Sequence, residues 1–404
     1  MEAEGFEKRD FEAPADVYVI NTCSVTDNAD KECRMLVRRI QRRAPHSLVV
    51  ITGCYAQLKP AEIAGIPGVD LVLGAAEKFN LPHHIATLAK GDSTKISSCD
   101  IDEVTGFTSS WSQGDRTRTF LKVQDGCDYN CSFCTIPMAR GRSRSDTVAN
   151  VVARAQQLAS QGVQEIVLTG VNLGDFGISP TSNTQGSSKL QRNQNLLQLI
   201  QALDEVEGIQ RYRISSCEPN LLSDDIIRFV AQSRAFMPHF HIPLQSGSNT
   251  MLGLMRRRYR RELYAQKVAL IKTLMPHCAI GVDVIVGHPG ETPELFEETF
   301  QFLHTLEVSY LHVFTYSERS QTHALSIKPV VPMAERHLRN KRLRNLSYLK
   351  QQYFASLHQG QQRPVLFEEH QKAGMIEGYT DNYIRVQTPY HPQLANRIVP
   401  WTLA

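Results

Sequence analysis

The sequence lacks the features that would place the chain in a membrane, in a fibre or outside the cell. Its 404 residues contain no apolar run that approaches the ~20 residues needed to cross a bilayer. The first 15 residues are acidic and lack the basic start and apolar stretch of a signal peptide. The composition, 42% hydrophobic and 21% charged, shows no bias towards disorder or fibre formation. We therefore expect a folded cytoplasmic chain with no membrane partner.

The chain also lacks a strong excess of charge of either sign, since its formal net charge is only +3. Overall charge therefore does not indicate a nucleic-acid-binding protein. Two short segments nevertheless concentrate cations: residues 256–261 hold five arginines, and residues 336–344 hold five arginines or lysines. Local basic patches of this kind can bind a phosphate backbone. A solvated basic helix face explains them equally well.

Cysteine is present in an odd number, nine, and in a reducing compartment a disulfide framework is not expected. Metal ligands, reactive thiols and small core residues remain. Cys127, Cys131 and Cys134 lie close together, just past a predicted strand and on a loop rich in Gly, Asp and Asn. Three such thiolates can hold three irons of a [4Fe–4S] cluster and leave the fourth iron open. Zinc is the main alternative and is disfavoured, because no close fourth Cys or His appears in the sequence.

Apolar strands alternate with helical stretches in the first ~90 residues, which is typical of a parallel α/β layer. Strands are predicted at 16–22, 48–53 and 70–74, and a helix is predicted to end near Arg43. Cys23 and Cys54 each come directly after a strand. In a doubly wound sheet that position is the carboxyl edge, where such folds place their sites.

A second, larger α/β unit is predicted at residues 117–357, after a polar linker at 91–116. Six strands separated by helices indicate an incomplete (β/α) barrel, with its chemistry at the carboxyl ends of the strands. The predicted strands are 119–124, 165–169, 212–216, 239–243, 279–286 and 310–316. The Ser/Gln/Asn-rich stretch 178–193 is predicted to be an inserted surface loop, and residues 333–357 a long polar helix.

Short strands are also predicted in the last segment, residues 358–404, at 364–367, 373–378 and 382–386. Turns separate them, which is the pattern of a small β-barrel compatible with an OB-like nucleic-acid module. The segment is short for such a barrel, and its last strand is not recognisable in the sequence.

The cysteine spacing, with Phe133 before the last cysteine, resembles the radical S-adenosylmethionine superfamily. Further segments resemble the methylthiotransferases and occur in that family's order: residues 21–26, 53–57, 125–137, 140–144, 168–174, 243–248 and 283–292. Residues 169–175 and 316–319 are most similar to the branch that acts on N6-threonylcarbamoyladenosine in tRNA. The isopentenyladenosine branch and the ribosomal-protein branch fit less well.

The resemblance implies an α/β chain of three domains. These are a flavodoxin-like N-terminal domain at 1–90 that is truncated at its start, an incomplete (β/α)6 radical S-adenosylmethionine barrel at 117–357, and a small TRAM-like β-barrel for RNA at 358–404. It implies S-adenosylmethionine and two [4Fe–4S] clusters as cofactors. It also implies tRNA and an electron donor such as flavodoxin or ferredoxin as partners.

The resemblance also implies a mechanism. The cluster on Cys127, Cys131 and Cys134 reduces S-adenosylmethionine to a 5′-deoxyadenosyl radical, which abstracts hydrogen from C2 of the adenine. A methylated sulfur at the N-terminal cluster, whose ligands include Cys23 and Cys54, is then transferred to that carbon. The barrel orients the cofactor and excludes water.

Side chains that contact the cofactor are implied at the ends of the barrel strands, while no catalytic side chain is assigned. For Glu218 the alternative to a cofactor contact is a charge that stabilises the N-terminus of a helix. For Gly287 the alternative is a plain strand-to-helix turn. Arg140, Arg142 and Arg144 are implied to bind RNA phosphate or the cofactor carboxylate, with surface ion pairing as the alternative. The cofactor residues are Phe133, Thr169, Gly170, Asn172, Arg213, Ser215, Glu218 and Gly287.

The N-terminal domain departs from the family in one respect. The family supplies three cysteines to the N-terminal cluster, and the first of these, with its strand, has no counterpart in this sequence. Cys33 lies roughly 15 Å along the next helix and is not expected to replace it. Cys99, Cys217 and Cys278 are likewise predicted to be non-ligands. We expect a start assigned too late or a truncated chain; a chain that really began here would keep the radical chemistry and lose sulfur insertion.

Three functions remain open from the sequence. The first is an RNA-modifying radical enzyme. The second is a non-catalytic iron–sulfur protein that binds RNA. The third keeps the radical chemistry and acts on a ribosomal protein side chain.

Overall fold

The computed structural model describes residues 1, 4–23, 27–91, 93–112, 117–180 and 190–404. The chain has a mixed α/β architecture and divides into two compact units. The first comprises Met1–Gly106, Gly126–Arg142 and Ser317–Leu325, and the second comprises Phe107–Asp125, Ser143–Tyr316 and Ser326–Ala404. No helix within the described ranges combines the length and the apolar character that a bilayer span requires.

A parallel sheet of four strands forms the centre of the first unit, and its strands follow the order of the chain. They are β1 (Val17–Thr22), β2 (Leu48–Gly53), β3 (Leu71–Leu73) and β4 (Lys95–Ser97). Successive side chains of a strand point to opposite faces, so Val49 and Ile51 of β2 pack into one apolar cluster and Val50 packs into another. Both faces of the sheet are therefore covered.

The strand order corrects one detail of the predicted domain. A flavodoxin-like sheet reverses its strand order near the first strand, whereas here β1 is hydrogen-bonded directly to β2, with Val17 opposite Leu48. No strand can lie between two strands that share a ladder, so the described strands run in one direction across the sheet.

Within the described residues, five helices complete the first unit. The helix predicted to end near Arg43 does end there, because the next residues turn into β2. The helices are α1 (Asp27–Arg43), α2 (Cys54–Leu58), α3 (Pro60–Ala64), α4 (Leu81–Ala86) and α5 (Ile136–Arg140).

The segment 91–116, predicted to be a linker, contributes strand β4 to the first unit, where Ser97 pairs with Leu73. The side chains of β4 are largely exposed, which explains why its apolar pattern is too weak to identify it from sequence.

Six parallel strands dominate the second unit, and all six strands predicted for the barrel are present. The strands of this unit are β5 (Ser110–Trp111), β6 (Arg118–Lys122), β7 (Gln124–Asp125), β8 (Arg144–Ser145), β9 (Glu165–Thr169), β10 (Ile178–Pro180), β11 (Leu190–Arg192), β12 (Arg211–Ile214), β13 (His239–His241), β14 (Ala279–Val286), β15 (Tyr310–Thr315), β16 (Gln362–Lys372), β17 (Met375–Thr380), β18 (Arg385–Pro389) and β19 (Ile398–Thr402).

The parallel strands β6, β9 and β12 form one ladder and β13, β14 and β15 form another. Parallel bridges from Tyr212 to Phe236 and from Ser216 to His241 connect the two ladders. Within the described residues, no ladder joins β15 back to β6. The six strands thus follow one another in chain order.

Helices cover one side of these strands. Val282 and Val284 of β14 pack into the large apolar core of the unit, while the alternate residues Gly281 and Asp283 lie on the opposite face. The helices are α6 (Val148–Ser160), α7 (Leu196–Asp204), α8 (Asp224–Gln232), α9 (Asn249–Leu254), α10 (Arg261–Leu274), α11 (Pro293–Thr305) and α12 (Met333–Ser356).

The last four strands form an antiparallel sheet in the order β18-β17-β16-β19. The strand predicted at 373–378 begins later, at Met375, because Ala373 and Gly374 have φ of 51° and 75° and form the hairpin turn. The sheet also contains β19, a last strand that the sequence did not reveal.

The segment 178–193, predicted to be an inserted loop, begins and ends in the paired strands β10 and β11. Residues 181–189 of this prediction lie outside the described residues.

Candidate functional site

The loop that carries the three clustered cysteines belongs to the first unit and has a tightly defined backbone. The N–H of Cys127 donates to the carbonyl oxygen of Gly141 at 3.0 Å. Gly126 has a φ of 71°, and a Cβ on it would lie 1.9 Å from the carbonyl oxygen of Arg142. Only glycine fits at this position, so the loop is closed at its base.

Backbone N–H groups are directed at two of the three thiols. Tyr129 donates its N–H to Cys127 Sγ, and Ile136 donates its N–H to Cys134 Sγ, each at 3.4 Å. Hydrogen bonds of this kind stabilise thiolate sulfur and tune iron–sulfur clusters. Three thiols on one short loop with such donors fit three irons of a [4Fe–4S] cluster.

The other two predicted metal ligands lie at the carboxyl edge of the sheet in the first unit. Thr22 and Gly53 pair in register, and Cys23 and Cys54 are the residues that follow them. Gly53 has a φ of 100°, and a Cβ on it would lie 2.3 Å from the carbonyl oxygen of Thr22. Cys54 is buried at the start of α2, while Cys23 is exposed. Their position fits the prediction, and their role as ligands stays a prediction.

Arg140 contacts Cys54, which the sequence did not indicate. Its Nε donates to Cys54 Sγ at 3.3 Å. Arg140 is the last residue of α5, and the first residue of that helix, Ile136, donates to Cys134 Sγ. A single five-residue helix therefore reaches one thiol of each predicted cluster.

The segment 317–325 supports the cysteine loop from a distant part of the chain. Ala324 donates its N–H to the carbonyl oxygen of Ser132 at 2.7 Å. Arg319 forms a buried ion pair with Asp30 of α1 at 3.1 Å. The motif at 316–319 therefore includes a residue that fixes the segment to the first unit.

In the second unit, predicted cofactor residues after β9 surround the buried side chain of Gln124. Gln124 Oε1 accepts the N–H groups of Val171 at 2.8 Å and Asn172 at 2.9 Å. A Cβ on Gly170 would lie 2.7 Å from Gln124 Oε1. Asn172 donates to Asp175 Oδ2 at 2.8 Å, yet its own Oδ1 is buried and has no hydrogen-bond partner within the described structure. Buried acceptors normally have a hydrogen-bond partner, so this oxygen indicates a site for a ligand that donates a hydrogen bond to it.

Three more predicted cofactor residues are partly exposed. Phe133 lies in the cysteine loop. Thr169 ends β9 and accepts the N–H of Val123 at 2.9 Å through its carbonyl oxygen, and Ser215 follows β12 and donates its N–H to the carbonyl oxygen of Leu168 at 3.2 Å. Their exposure is compatible with a ligand contact, which stays a prediction.

Arg213, a predicted cofactor residue, is buried and has protein partners. Its side chain is 2% exposed and its Nε donates to Glu165 at 2.8 Å. Its Nη atoms donate to the carbonyl oxygens of Asp381 at 2.9 Å and Thr380 at 2.8 Å. The neighbouring Arg211 donates in the same way to backbone carbonyl oxygens of the last sheet. The guanidinium of Arg213 thus binds Glu165 and the C-terminal strands, and its predicted contact with the cofactor stays a prediction.

Glu218 is paired with Arg257, which connects the residues after β12 to the basic segment 256–261. Burial raises the pKa of Glu218, and the Arg257 guanidinium opposes that effect. Arg257 also donates to the hydroxyl of Tyr259 at 3.2 Å. One arginine of the basic segment is therefore internal, while Arg256, Arg258 and Arg260 are exposed.

The turn at Gly287 is packed against protein. It has a φ of 76°, and a Cβ on it would lie 2.3 Å from Cγ of Arg336. Its N–H donates to Glu291 at 2.7 Å, and Glu291 in turn pairs with Arg339 at 2.7 Å. This favours the alternative of a plain turn, and it also shows that two cations of the basic segment 336–344 are buried.

A polar group that the sequence analysis missed lies on the face of β13, β14 and β15 opposite the helices. Ligand atoms of His241, Asp283 and His312 lie within 4.8 Å of one another. His241 Nε2 is 3.0 Å from Asp283 Oδ1, and its Nδ1 is 2.6 Å from Ser216 Oγ. Burial, assisted by His241, lowers the pKa of His312. The sequence contains a signal for this group, because Asp283 and His312 are paired in the register of β14 and β15. That signal can be used only after the predicted strands have been aligned with one another.

Comparison with known proteins gives two matching families. The Radical SAM superfamily model matches residues 121–303. The model of Uncharacterized protein family UPF0004 matches residues 1–74. The matched ranges include the clustered cysteines in the first case and both Cys23 and Cys54 in the second.

Relatives match nearly the whole chain. The threonylcarbamoyladenosine tRNA methylthiotransferase MtaB of Bacillus subtilis (strain 168) is 40% identical over 398 residues, which are 95% of this chain and 84% of the relative. The protein of that name from Aquifex aeolicus (strain VF5) is 38% identical and covers 95% of this chain and 90% of its own length. A tRNA-2-methylthio-N(6)-dimethylallyladenosine synthase of Clostridium botulinum is 31% identical over 85% of this chain and 75% of its own length. The chain therefore belongs to the radical S-adenosylmethionine methylthiotransferase family that includes the threonylcarbamoyladenosine tRNA methylthiotransferases.

Proposed function

We propose that this chain adds a methylthio group to C2 of N6-threonylcarbamoyladenosine, next to the anticodon of tRNA. The observation that carries the proposal is the match of 95% of the chain to relatives named for this activity, at 40% and 38% identity. The relative named for dimethylallyladenosine is less similar, at 31%.

The cofactors of the family are a [4Fe–4S] cluster and S-adenosylmethionine, which together supply a 5′-deoxyadenosyl radical. Cys127, Cys131 and Cys134 hold the cluster, with N–H donors to two of the three sulfurs. Asn172 Oδ1 is buried without a hydrogen-bond partner within the described structure, and it would accept a donor group at the methionine end of the cofactor. Gln124 fixes the backbone of that turn through two accepted hydrogen bonds.

Cys23 and Cys54 would supply two of the three cysteine ligands that the second cluster of the family needs, and that cluster would supply the transferred sulfur. Their support is the register of Thr22 with Gly53, since Cys23 and Cys54 directly follow these residues at one edge of the sheet.

The architecture follows the family. The six parallel strands in chain order form an incomplete (β/α)6 barrel, and the parallel sheet of the first unit forms the N-terminal domain. The antiparallel sheet of β16 to β19 forms a TRAM-like module, which is supported by its four-stranded antiparallel order and by the buried arginines that hold it. The proposed domains are 1–90, 117–357 and 358–404, and the segment 91–116 adds strand β4 to the N-terminal sheet.

The substrate of this reaction is tRNA, so the exposed cations Arg256, Arg258 and Arg260 are candidates for contact with its phosphates. The reaction needs an electron donor such as flavodoxin or ferredoxin. We assign the activity to the cytoplasm, where tRNA is modified.

The decisive experiment uses the full chain, reconstituted anaerobically with iron and sulfide. It is incubated with S-adenosylmethionine, a chemical reductant and tRNA that carries N6-threonylcarbamoyladenosine. The tRNA is then digested, and its nucleosides are separated by chromatography and identified by mass spectrometry. 5′-Deoxyadenosine is measured in the same samples. We expect 5′-deoxyadenosine and the methylthiolated nucleoside with the wild-type chain and neither with Cys131→Ala. 5′-Deoxyadenosine without the methylthiolated nucleoside is the outcome expected if the second cluster lacks its third ligand.

Each alternative has its own outcome in this experiment. Methylthiolation of tRNA that carries dimethylallyladenosine instead would reassign the substrate. Modification of an added ribosomal protein would select the third function, and the absence of 5′-deoxyadenosine would select a non-catalytic RNA-binding protein.

A further inference from the structure

Three side chains of metal-ligand type meet on the face of β13, β14 and β15 that lies opposite the helices. They are His241, Asp283 and His312, one from each strand, and their ligand atoms all lie within 4.8 Å of one another. Nε2 of His241 is 3.0 Å from Oδ1 of Asp283. Two ligand atoms that are each about 2.1 Å from a tetrahedral zinc ion lie about 3.4 Å apart. The spacing of His241 and Asp283 is therefore close to the one that a shared ion requires.

The parallel ladder fixes where the three side chains start. Asp283 is the register partner of His312, and His241 is the register partner of Gly281, which lies two residues before Asp283 on the same face of β14. A Cβ on Gly281 would lie 2.4 Å from Cζ of Tyr310, so the neighbouring strands are in close contact there. Groups that are carried by paired strands are held more precisely than groups on loops.

His241 has the support that a ligand histidine normally has. Its Nδ1 is 2.6 Å from Ser216 Oγ, and the backbones of Ser216 and His241 are joined by a parallel bridge. Histidines that bind metals usually engage their other ring nitrogen in a hydrogen bond, which fixes the orientation of the ring. In His241 this contact leaves Nε2 directed at Asp283.

Asp283 and His312 have ligand capacity that the described structure does not use. The side chain of Asp283 is 19% exposed, and its one ion-pair partner among the described residues is His241. His312 is exposed, and its ring lies next to the rings of His241 and Tyr310. A hydrogen bond from His241 to Asp283 accounts for that pair alone and leaves His312 without a role. A divalent cation would use all three groups, since the exposed ring of His312 can turn towards it.

We propose that His241, Asp283 and His312 bind a divalent transition-metal ion, and that Zn²⁺ is the ion whose ligand preferences they meet. Three protein ligands leave a fourth position of the ion open, and an oxygen donor such as water, a hydroxyl or a carboxylate fills it. This site uses no thiol and shares no residue with the cysteine loop. The inference does not rest on the proposed function.

The experiment counts zinc in the full chain after anaerobic reconstitution with iron and sulfide, so that iron already occupies the thiols of the cysteine loop. The protein is dialysed to equilibrium against buffered Zn²⁺, and bound zinc and iron are measured by mass spectrometry. X-ray absorption at the zinc edge then identifies the ligand atoms. For the wild-type chain we expect about one zinc per chain, with nitrogen or oxygen ligands at about 2.0–2.2 Å and no sulfur at about 2.3 Å.

Substitutions test each part of the site. Ser216→Ala removes only the support of His241 and is expected to raise the Kd for Zn²⁺ about 10–100-fold. Asp283→Asn and His312→Gln each remove a ligand and are expected to raise it at least about a hundredfold. The matched control His337→Gln removes an exposed histidine of α12 and is expected to leave the Kd unchanged.

Three results would overturn the inference. They are a wild-type chain that binds no zinc, zinc bound through sulfur, and an unchanged Kd in both Asp283→Asn and His312→Gln. If Asp283→Asn loses iron or unfolds, His312→Gln decides alone, because its side chain is exposed. Retention of zinc in that variant would then reject the site.

Discussion

Replacement of Gln124 by leucine tests whether the turn after β9 binds the cofactor. The side chain is fully buried, and the described hydrogen bonds of its amide include four groups. Oε1 accepts the N–H groups of Val171 at 2.8 Å and Asn172 at 2.9 Å. Nε2 donates to the carbonyl oxygen of Asp125 at 3.0 Å and to Ser143 Oγ at 2.9 Å. The substitution removes all four interactions at once.

The size of the effect follows from the two backbone donors. Leucine is of similar size and has no polar side-chain atom, so the N–H groups of Val171 and Asn172 are left without an acceptor. A buried donor in this state costs about 1–3 kcal/mol, so the pair costs about 2–6 kcal/mol unless the turn moves. A difference of 1.4 kcal/mol is a factor of ten in affinity. We therefore expect the turn to shift and the Kd for S-adenosylmethionine to rise at least about tenfold.

Equilibrium dialysis of the reconstituted chain with labelled S-adenosylmethionine measures this Kd, and iron analysis shows whether the cluster is retained. The matched control is Gln41→Leu, which removes one glutamine hydrogen bond, from Nε2 to the carbonyl oxygen of Gly68 at 3.0 Å, outside the predicted cofactor site. An unchanged Kd in Gln124→Leu, or an equal rise in both variants, would refute the assignment of this turn to the cofactor.

Three other substitutions test the remaining parts of the structure. Glu165→Gln removes a fully buried carboxylate that pairs with two arginines, so the free energy of unfolding in urea should fall by about 3–5 kcal/mol. The control Glu297→Gln breaks a half-exposed ion pair and should cost less than ~1 kcal/mol, and equal losses would contradict the argument. Gly126→Ala places a methyl group 1.9 Å from a carbonyl oxygen and should lose iron from the cysteine loop, whereas Gly162→Ala, with a φ of 82° and no atom within 4 Å, should keep it. Burial lowers the pKa of His288 from 6.5 to about 4, so between these pH values the unfolded chain binds a proton that the folded chain does not, and the free energy of unfolding falls as the pH drops. His288→Phe should reduce the slope of the free energy of unfolding against pH by up to about 1.4 kcal/mol per pH unit. An unchanged slope would show that the group does not titrate.

The sequence predicts most strands because their apolar character is local. The predicted ranges 165–169 and 279–286 agree with β9 and β14 to the residue, since a buried parallel strand is a continuous apolar run between turns. The cysteine loop is equally local, because its spacing and its glycines lie within a few residues. Strand β4 was missed because its side chains are mostly exposed, and β19 because it contains a proline.

Contacts between distant segments could not be predicted. Arg213 follows the pattern of a polar residue at a strand end, and only the fold shows that the C-terminal strands occupy its donors. His241, Asp283 and His312 come from three strands, so their proximity depends on register. The approach of Arg140 to Cys54 joins residues 86 positions apart, and no periodicity in the sequence encodes it.

The arginines that hold the C-terminal sheet have a consequence for how this chain can diverge. Arg211 and Arg213 direct four hydrogen bonds to that sheet, and all four acceptors are main-chain carbonyl oxygens, at 364, 379, 380 and 381. These four hydrogen bonds do not depend on which side chains the attached strands carry. Two side chains of the sheet do contribute, since Glu368 pairs with Arg118 at 2.8 Å and the ring of Tyr379 lies 4.4 Å from the same guanidinium. The exposed residues of the C-terminal sheet that make no such contact can therefore change during evolution, or be exchanged by design, while the module stays anchored to the enzyme.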